Sequence, residues 1–395
     1  MKWRMFICAI CFLIGGCSLN IPLEDQFSDP DAITDVLSAR SLLASAYKAM
    51  PQQIFQLSVL SDDFCPSQHL NKDMSLQGLY NWREVEMTEL AGTLWAGYYA
   101  VIAEVNALLA RIDAVVTLDE TEKLEKMRIV CEAKALKSWC YFDLLRLFAP
   151  RYEGNENKDG IILKKRVELD FLPRSSVKEC VTEIRTLLNE ARNVDNTQKN
   201  VYWLSDKAVA YLQVELELYA GNYPAVLELT KDLETEYPES VLGADVYKYL
   251  WSSENSDARI FGKYQLEQIY MDIRFDTFEK GDYLVLSQNV DYEEEDIRKE
   301  WSEIPFVMPD AKNVRLLGKY NKMNRDKVAS KYVNVARAAG MWLMRVEALA
   351  RSGKEGDAVA LANRMLKQRG ATEWSTNIAG NELISKILIE RQKEY

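Results

Sequence analysis

Apolar residues recur at three- and four-residue intervals through most of this chain, and the longest such run is Leu94 to Pro150. Leu94, Trp95, Tyr98, Val101, Ile102, Val105, Leu108, Leu109, Ile112, Val115 and Val116 share one helical face. Thr93 is the expected N-cap. A second helix over 121–149 carries two stripes, Ile129/Ala133/Leu136/Cys140/Leu144/Leu147 and Ala135/Trp139/Phe142. From Cys140 onward it is apolar on nearly every side, so several neighbours must cover it. Pro150 ends it.

Further helices follow the same rhythm. Asp29 or Ser28 caps one over 30–50, with Pro30 in its first turn and Ile33, Val36, Leu37, Leu43, Tyr47 and Met50 as its buried stripe. Ser176-Val177-Lys178-Glu179 is a capping box that opens a helix to about 194. Residues 203–237, with Ser205 as cap and Gly221 in the turn, and 336–368, with Gly353 in the turn, read as helical hairpins. Both resemble tetratricopeptide hairpins. The expected fold is therefore mainly α: tetratricopeptide-like helical pairs with a loop-rich insertion over about 238–334. Strands are expected there at Gln268–Phe275 and Tyr283–Gln288, and the charge run Asp291–Trp301 reads as a solvated face. Residues 51–92 have weak periodicity and read as a long irregular segment.

The first seventeen residues, MKWRMFICAICFLIGGC, join a basic start to a short apolar run and a small-residue site, the pattern of a secretory signal. Ile14-Gly15-Gly16-Cys17 resembles a bacterial lipobox, which implies cleavage before Cys17 and acylation of its thiol and new amine. The expected organisation is a signal peptide at 1–16, a lipidated tether at 17–28 and a single α-helical domain at 29–395. No later segment is expected to approach the roughly 18 apolar residues that span a bilayer. Cys65, Cys131, Cys140 and Cys180 remain beside Cys17. Cys131 and Cys140 sit on opposite faces of one helix, so buried free thiols are expected although export permits disulfides.

A net charge of −11 opposes non-specific binding to nucleic acid or anionic membrane. The chain has no GxSxG, HExxH, P-loop or GxGxxG motif, no CxxC, and a single histidine, His69. The acidic cluster Asp291–Asp296 lacks the spacing and glycine of a calcium loop. No enzyme, cofactor or metal is expected. The 20 tyrosines and 9 tryptophans point instead to binding, since sugar rings need flat apolar faces with polar neighbours. Tyr80-Asn81-Trp82 fits that need best, and Trp251 and Tyr292 are secondary candidates.

Several motifs, in order, resemble the SusD/RagB family of outer-membrane nutrient-binding lipoproteins. They are LW-x-x-Y-Y at Leu94–Tyr99, the Glu132–Pro150 helix with its YFDLLRLF, Pro173-Arg174-Ser175-Ser176, Leu218-Tyr219-Ala220-Gly221, Asp296-Ile297-Arg298, Gly318-Lys319-Tyr320 and the Met341–Ala348 helix. The resemblance implies a tetratricopeptide-like scaffold and a surface lipoprotein in the outer membrane. It also implies a TonB-dependent β-barrel partner of the SusC type and an oligosaccharide ligand, in some relatives a peptide. The alternative is a structural scaffold of an envelope complex with no ligand of its own. Ile389–Tyr395 ends inside the family's E-R-x-x-E helix motif, as in a short member or a truncated one; truncation would leave the last helix short of cover.

Overall fold

Residues 33–394 are described in a computed structural model, except 52, 67–73, 169, 193, 198–199, 253, 265–283, 287–289, 308–311 and 321–331. The signal segment, Cys17, the tether, Pro30, His69 and the expected strand Gln268–Phe275 lie outside the described residues. The first helix, α1 (Val36–Lys48), begins at a capping box in which the Asp35 carboxylate accepts from the Ser38 backbone N–H at 2.7 Å. The cap is thus Asp35 rather than residue 28 or 29, and Leu37, expected in the buried stripe, is 76% exposed.

Residues 51–92 are more regular than expected. They hold α2 (Ile54–Leu60), β1 (Phe64–Pro66), α3 (Met74–Tyr80) and the start of α4 (Glu84–Arg111). Thr93 lies inside α4 and does not cap it. The helix begins nine residues earlier because Leu90 extends its buried face, while Glu84 and Glu86 sit favourably in the first turn. The next helix, α5, is Glu120–Phe148, capped by the Asp119 carboxylate. The two run antiparallel. The Tyr98 hydroxyl donates to Asp143 at 2.9 Å, Lys137 to the Asn106 side-chain oxygen at 2.6 Å, and Lys126 to the Val115 carbonyl at 3.0 Å. By length and hydropathy Glu84–Ala114 could cross a bilayer, contrary to expectation. That apolarity serves packing, for Val101, Ile102, Val105 and Leu108 are fully buried.

Covering α5 is α6 (Val177–Ala191), which opens at the predicted capping box. Next come α7 (Asp206–Tyr219), capped by Ser205, α8 (Tyr223–Leu229), α9 (Leu233–Glu236) and α10 (Ala244–Tyr247). Gly221 takes φ +69° in the α7–α8 turn, a conformation glycine adopts without steric cost.

The stretch expected to be loop-rich carries more strand than predicted: β2 (Arg259–Tyr264), β3 (Leu284–Leu286), α11 (Ile297–Ser302), β4 (Glu303–Val307) and β5 (Asn313–Leu317), with β6 (Tyr332–Arg337) at its close. β1, β3, β5 and β4 form one antiparallel sheet in that order, and β2 and β6 pair as an antiparallel ribbon. The ribbon packs on the helices, with Phe261 edge-on to Trp139 at 5.3 Å. The chain then runs through α12 (Ala338–Arg351), α13 (Glu355–Arg369) and α14 (Gly380–Glu394). Trp342 of α12 is fully buried and donates its indole N–H to the Tyr237 carbonyl at 3.0 Å. On α14, Leu383 and Ile387 are buried and Leu388 and Ile389 are about half exposed. Cys65, Cys131, Cys140 and Cys180 are free thiols, and all but Cys65 are buried.

Candidate ligand-binding site

The α3–α4 corner presents three of the candidate residues together. The Trp82 N–H donates to the Leu79 carbonyl and the Arg83 N–H to the Gly78 carbonyl, both at 2.9 Å. This is a Schellman closure of α3, and its left-handed position is the one glycine usually occupies. Here a tryptophan holds it, at φ +54°. A bulky side chain in that region costs about 1–3 kcal/mol. Burial returns little of it, because Trp82 is 63% exposed. Asn81 beside it is exposed and donates its amide to the Gln77 carbonyl at 2.8 Å. Tyr80 is 37% exposed, and its hydroxyl oxygen accepts from the Cys65 thiol at 3.3 Å. A Cβ at Gly78 would meet the end of the Glu86 side chain of α4 at 2.3 Å, so any larger residue there requires that flexible chain to shift. An indole face, a phenol and a carboxamide thus stand on one rigid turn between two helices.

The secondary candidates are core residues. Trp251 is 2% exposed, with Tyr247 and Tyr320 against its ring at 5.6 and 5.1 Å and the cations of Lys319 and Arg337 over it. Tyr292 is 6% exposed and donates its hydroxyl to the Lys393 carbonyl. With their faces already occupied, neither ring offers a sugar a surface. Aromatics in a stretch without helical period read as loop residues, but this stretch is packed.

One group of rings escaped the sequence reading. Tyr202, Trp203, Tyr264 and Tyr332 meet on the outer side of the β2–β6 ribbon. Tyr202 lies 5.8 Å from Tyr264 and 6.2 Å from Tyr332, and Tyr264 is 43% exposed. The cross-strand pair Tyr264–Tyr332 is the signal that could have revealed it, but only once the register is known.

A family model described as SusD-like, starch-binding and associating with the outer membrane, matches residues 23–214. No curated protein matches the chain. Among solved structures, a SusD-like carbohydrate binding protein from Bacteroides vulgatus superposes with a TM-score of 0.73 at 18% identity, covering 92% of this chain and 81% of that one. A putative sugar binding protein from the same organism gives 0.74 at 21%, covering 92% and 84%. A SusD superfamily protein from Bacteroides thetaiotaomicron gives 0.75 at 18%, covering 91% and 86%. At these identities the structural likeness speaks to the fold alone, while the match over 23–214 takes in the α3–α4 corner, the α4–α5 pair and the capping box of α6. Residues 23–214 thus match the SusD-like family, and the described chain as a whole has the fold of the SusD superfamily structures.

Proposed function

We propose that this protein is a surface-exposed, lipid-anchored outer-membrane receptor that holds an oligosaccharide at the Tyr80–Asn81–Trp82 corner and delivers it to a TonB-dependent β-barrel. The observation that carries the site is Trp82 itself. A strained backbone with an exposed indole makes sense where a flat apolar face must be offered to a ligand. The family match over residues 23–214 supports the ligand class and the outer membrane, and the lipobox-like Ile14–Cys17 supports the anchor. The reading assigns the protein binding and no catalysis.

The experiment is glycan retention by Trp82→Gly and Trp82→Ala. Glycine relieves the left-handed strain, so Trp82→Gly should unfold at a higher temperature, by about 1 kcal/mol of stability, while retention falls. Trp82→Ala should lose retention with little change in melting temperature. Full retention by both variants would remove Trp82 from the site. For the anchor, Cys17→Ser should abolish incorporation of a labelled fatty acid and release the protein from the outer-membrane fraction.

A further inference from the structure

Beneath the inner side of the β2–β6 ribbon lies a partly enclosed cavity of about 210 Å³, bounded by the end of α1, α2, α4 and α5. It has room for several waters or, in their place, one sugar ring. Leu57, Leu94 and Val335 supply an apolar wall. Gln53, Tyr98, Asp143, Arg146 and Lys263 supply a polar one.

Two of these polar groups have unmet needs. The Gln53 side-chain oxygen is buried and has no hydrogen-bond partner among the described residues. The Lys263 ammonium, on a residue only 9% exposed, donates to the Met50 and Pro51 carbonyls, which leaves one of its three protons without an acceptor among the described residues. It forms no ion pair among the described residues. Asp143, the carboxylate in the cavity, is already engaged by the Tyr98 hydroxyl and the Arg146 guanidinium. Burial pushes Lys263 down to about 8, with Asp143 and Cys140 opposing the shift. The lysine is therefore still mostly protonated at neutral pH, as a buried cation with carbonyl acceptors but no carboxylate paired with it among the described residues, a state that costs free energy until an anion arrives.

We infer that this cavity takes a single carboxylate-bearing sugar unit, a hexuronate, whose carboxylate pairs with Lys263 and one of whose hydroxyls donates to Gln53. The inference rests on the glycan-binding reading and deepens it by naming the class of sugar. It concerns a place separate from the α3–α4 corner, with no residue in common.

The test is titration calorimetry of the mature protein with glucuronate and galacturonate against glucose and galactose. The uronates should bind roughly ten-fold tighter or more, the size of a charge-assisted hydrogen bond in a buried site. Lys263→Met should erase that preference. Because Lys263 also ties down the Met50–Pro51 turn, Gln53→Glu is the second variant. It places a carboxylate within the cavity, should satisfy Lys263 internally, and should exclude uronates while leaving the melting temperature unchanged or higher. Equal affinity for charged and neutral sugars, or unchanged uronate binding in both variants, overturns the inference. In that case neutral oligosaccharide retention that depends on Trp82 would leave the broader function standing. Failure to retain any glycan would sink both.

Discussion

The α4–α5–α6 region and the α11–α14 region are both buried, but they are held by opposite means. Around α5 the interior is largely apolar, with Leu136, Cys140, Tyr141, Leu144 and Leu145 at 0% exposure. Around α14 the interior is ionic. Arg298, fully buried, donates to Asp296, Glu390 and Glu394, and Arg369 binds Glu394 at 2.8 Å. Lys319 donates to the Lys393 and Glu394 carbonyls at 3.2 Å. The first region, apart from directional contacts such as Tyr98–Asp143 and Arg40–Glu132, is held by non-directional packing and tolerates volume-conserving change. The second works only when every member is present, because a buried charge that loses its partner keeps its desolvation penalty.

The largest effect should come from breaking the ionic region one-sidedly. Arg298→Met leaves Asp296, Glu390 and Glu394 facing one another without their shared cation. We expect a loss of about 3–5 kcal/mol in urea unfolding at pH 7. Leu144→Ala should cost about 3 kcal/mol through lost burial and the cavity left behind. The two should separate on acidification. Glu394 titrates between 4.5 and about 2, so the Arg298→Met penalty should shrink as pH falls through that range, while the Leu144→Ala penalty stays constant. If both penalties track together with pH, the contrast between the regions is false.

The pH dependence of the native protein sharpens the same point from two sides. Burial opposes ionisation of Glu394, but Arg369, Arg298 and Arg337 overcome it and hold its pKa at about 2, against 4.5 for a free glutamate. Its stabilising contribution is therefore complete above pH 4.5 and is lost as pH falls through 2. Lys319 has the opposite sign of effect: burial, with help from Arg337, pushes it from 10.5 down to about 7. The unfolded chain then binds its proton more readily, so stability should rise as pH climbs from 7 toward 10.5. Between pH 7 and 9 that rise should be about 2 kcal/mol, and Lys319→Met should flatten it. Lys137 and Lys263, both pushed by burial to about 8, act in the same direction, so the variant should reduce the slope without abolishing it. A wild-type stability that falls between pH 7 and 8 would contradict the assignment.

The contrast also explains what could be read in advance. An apolar face announces itself by its period, so α5, α6 and the α7–α8 and α12–α13 hairpins were legible, as were the caps at Ser176 and Ser205. A buried ion set has no period. Asp296 and Arg298 sit in a run that reads as solvated, yet only its Asp291, Glu293–Glu295 and Glu300 positions are exposed. Their partners, Glu390 and Glu394, lie about a hundred residues away on a helix whose charges look like surface. The same blindness affected the candidate site. Trp82 was picked for its neighbours, but the feature that makes it unusual, a left-handed backbone, is invisible without coordinates. Trp251 and Tyr292 differ from expectation because aromatics in a non-periodic stretch give no hint whether other elements will cover them.

The smallest expected effect tests whether local sequence signals carry the energy they advertise. Asp35 and Ser176 both complete capping boxes, with Ser38 and Glu179 as the reciprocal partners. Ser176 opens a motif legible in the sequence, whereas for α1 the sequence points to residues 28 and 29, seven and six positions before Asp35. Physically the two caps are equivalent, each satisfying a backbone N–H that the helix cannot. Asp35→Ala and Ser176→Ala should therefore each cost about 1 kcal/mol in urea unfolding. The Asp35 loss should fade on acidification, since its carboxylate pKa is already lowered by the Ser38 N–H and protonation weakens that acceptor. The Ser176 cap uses a hydroxyl that cannot titrate there, but its Glu179 half can: the Ser176 N–H holds that carboxylate below its ordinary value too. Wild-type stability should thus carry a shallow acid dependence from both helices, and Ser176→Ala should remove only part of its own. A loss confined to the cap that was legible would mean that the Asp35 contact is incidental, and that α1 is held by its buried Ala39, Leu42 and Leu43 alone.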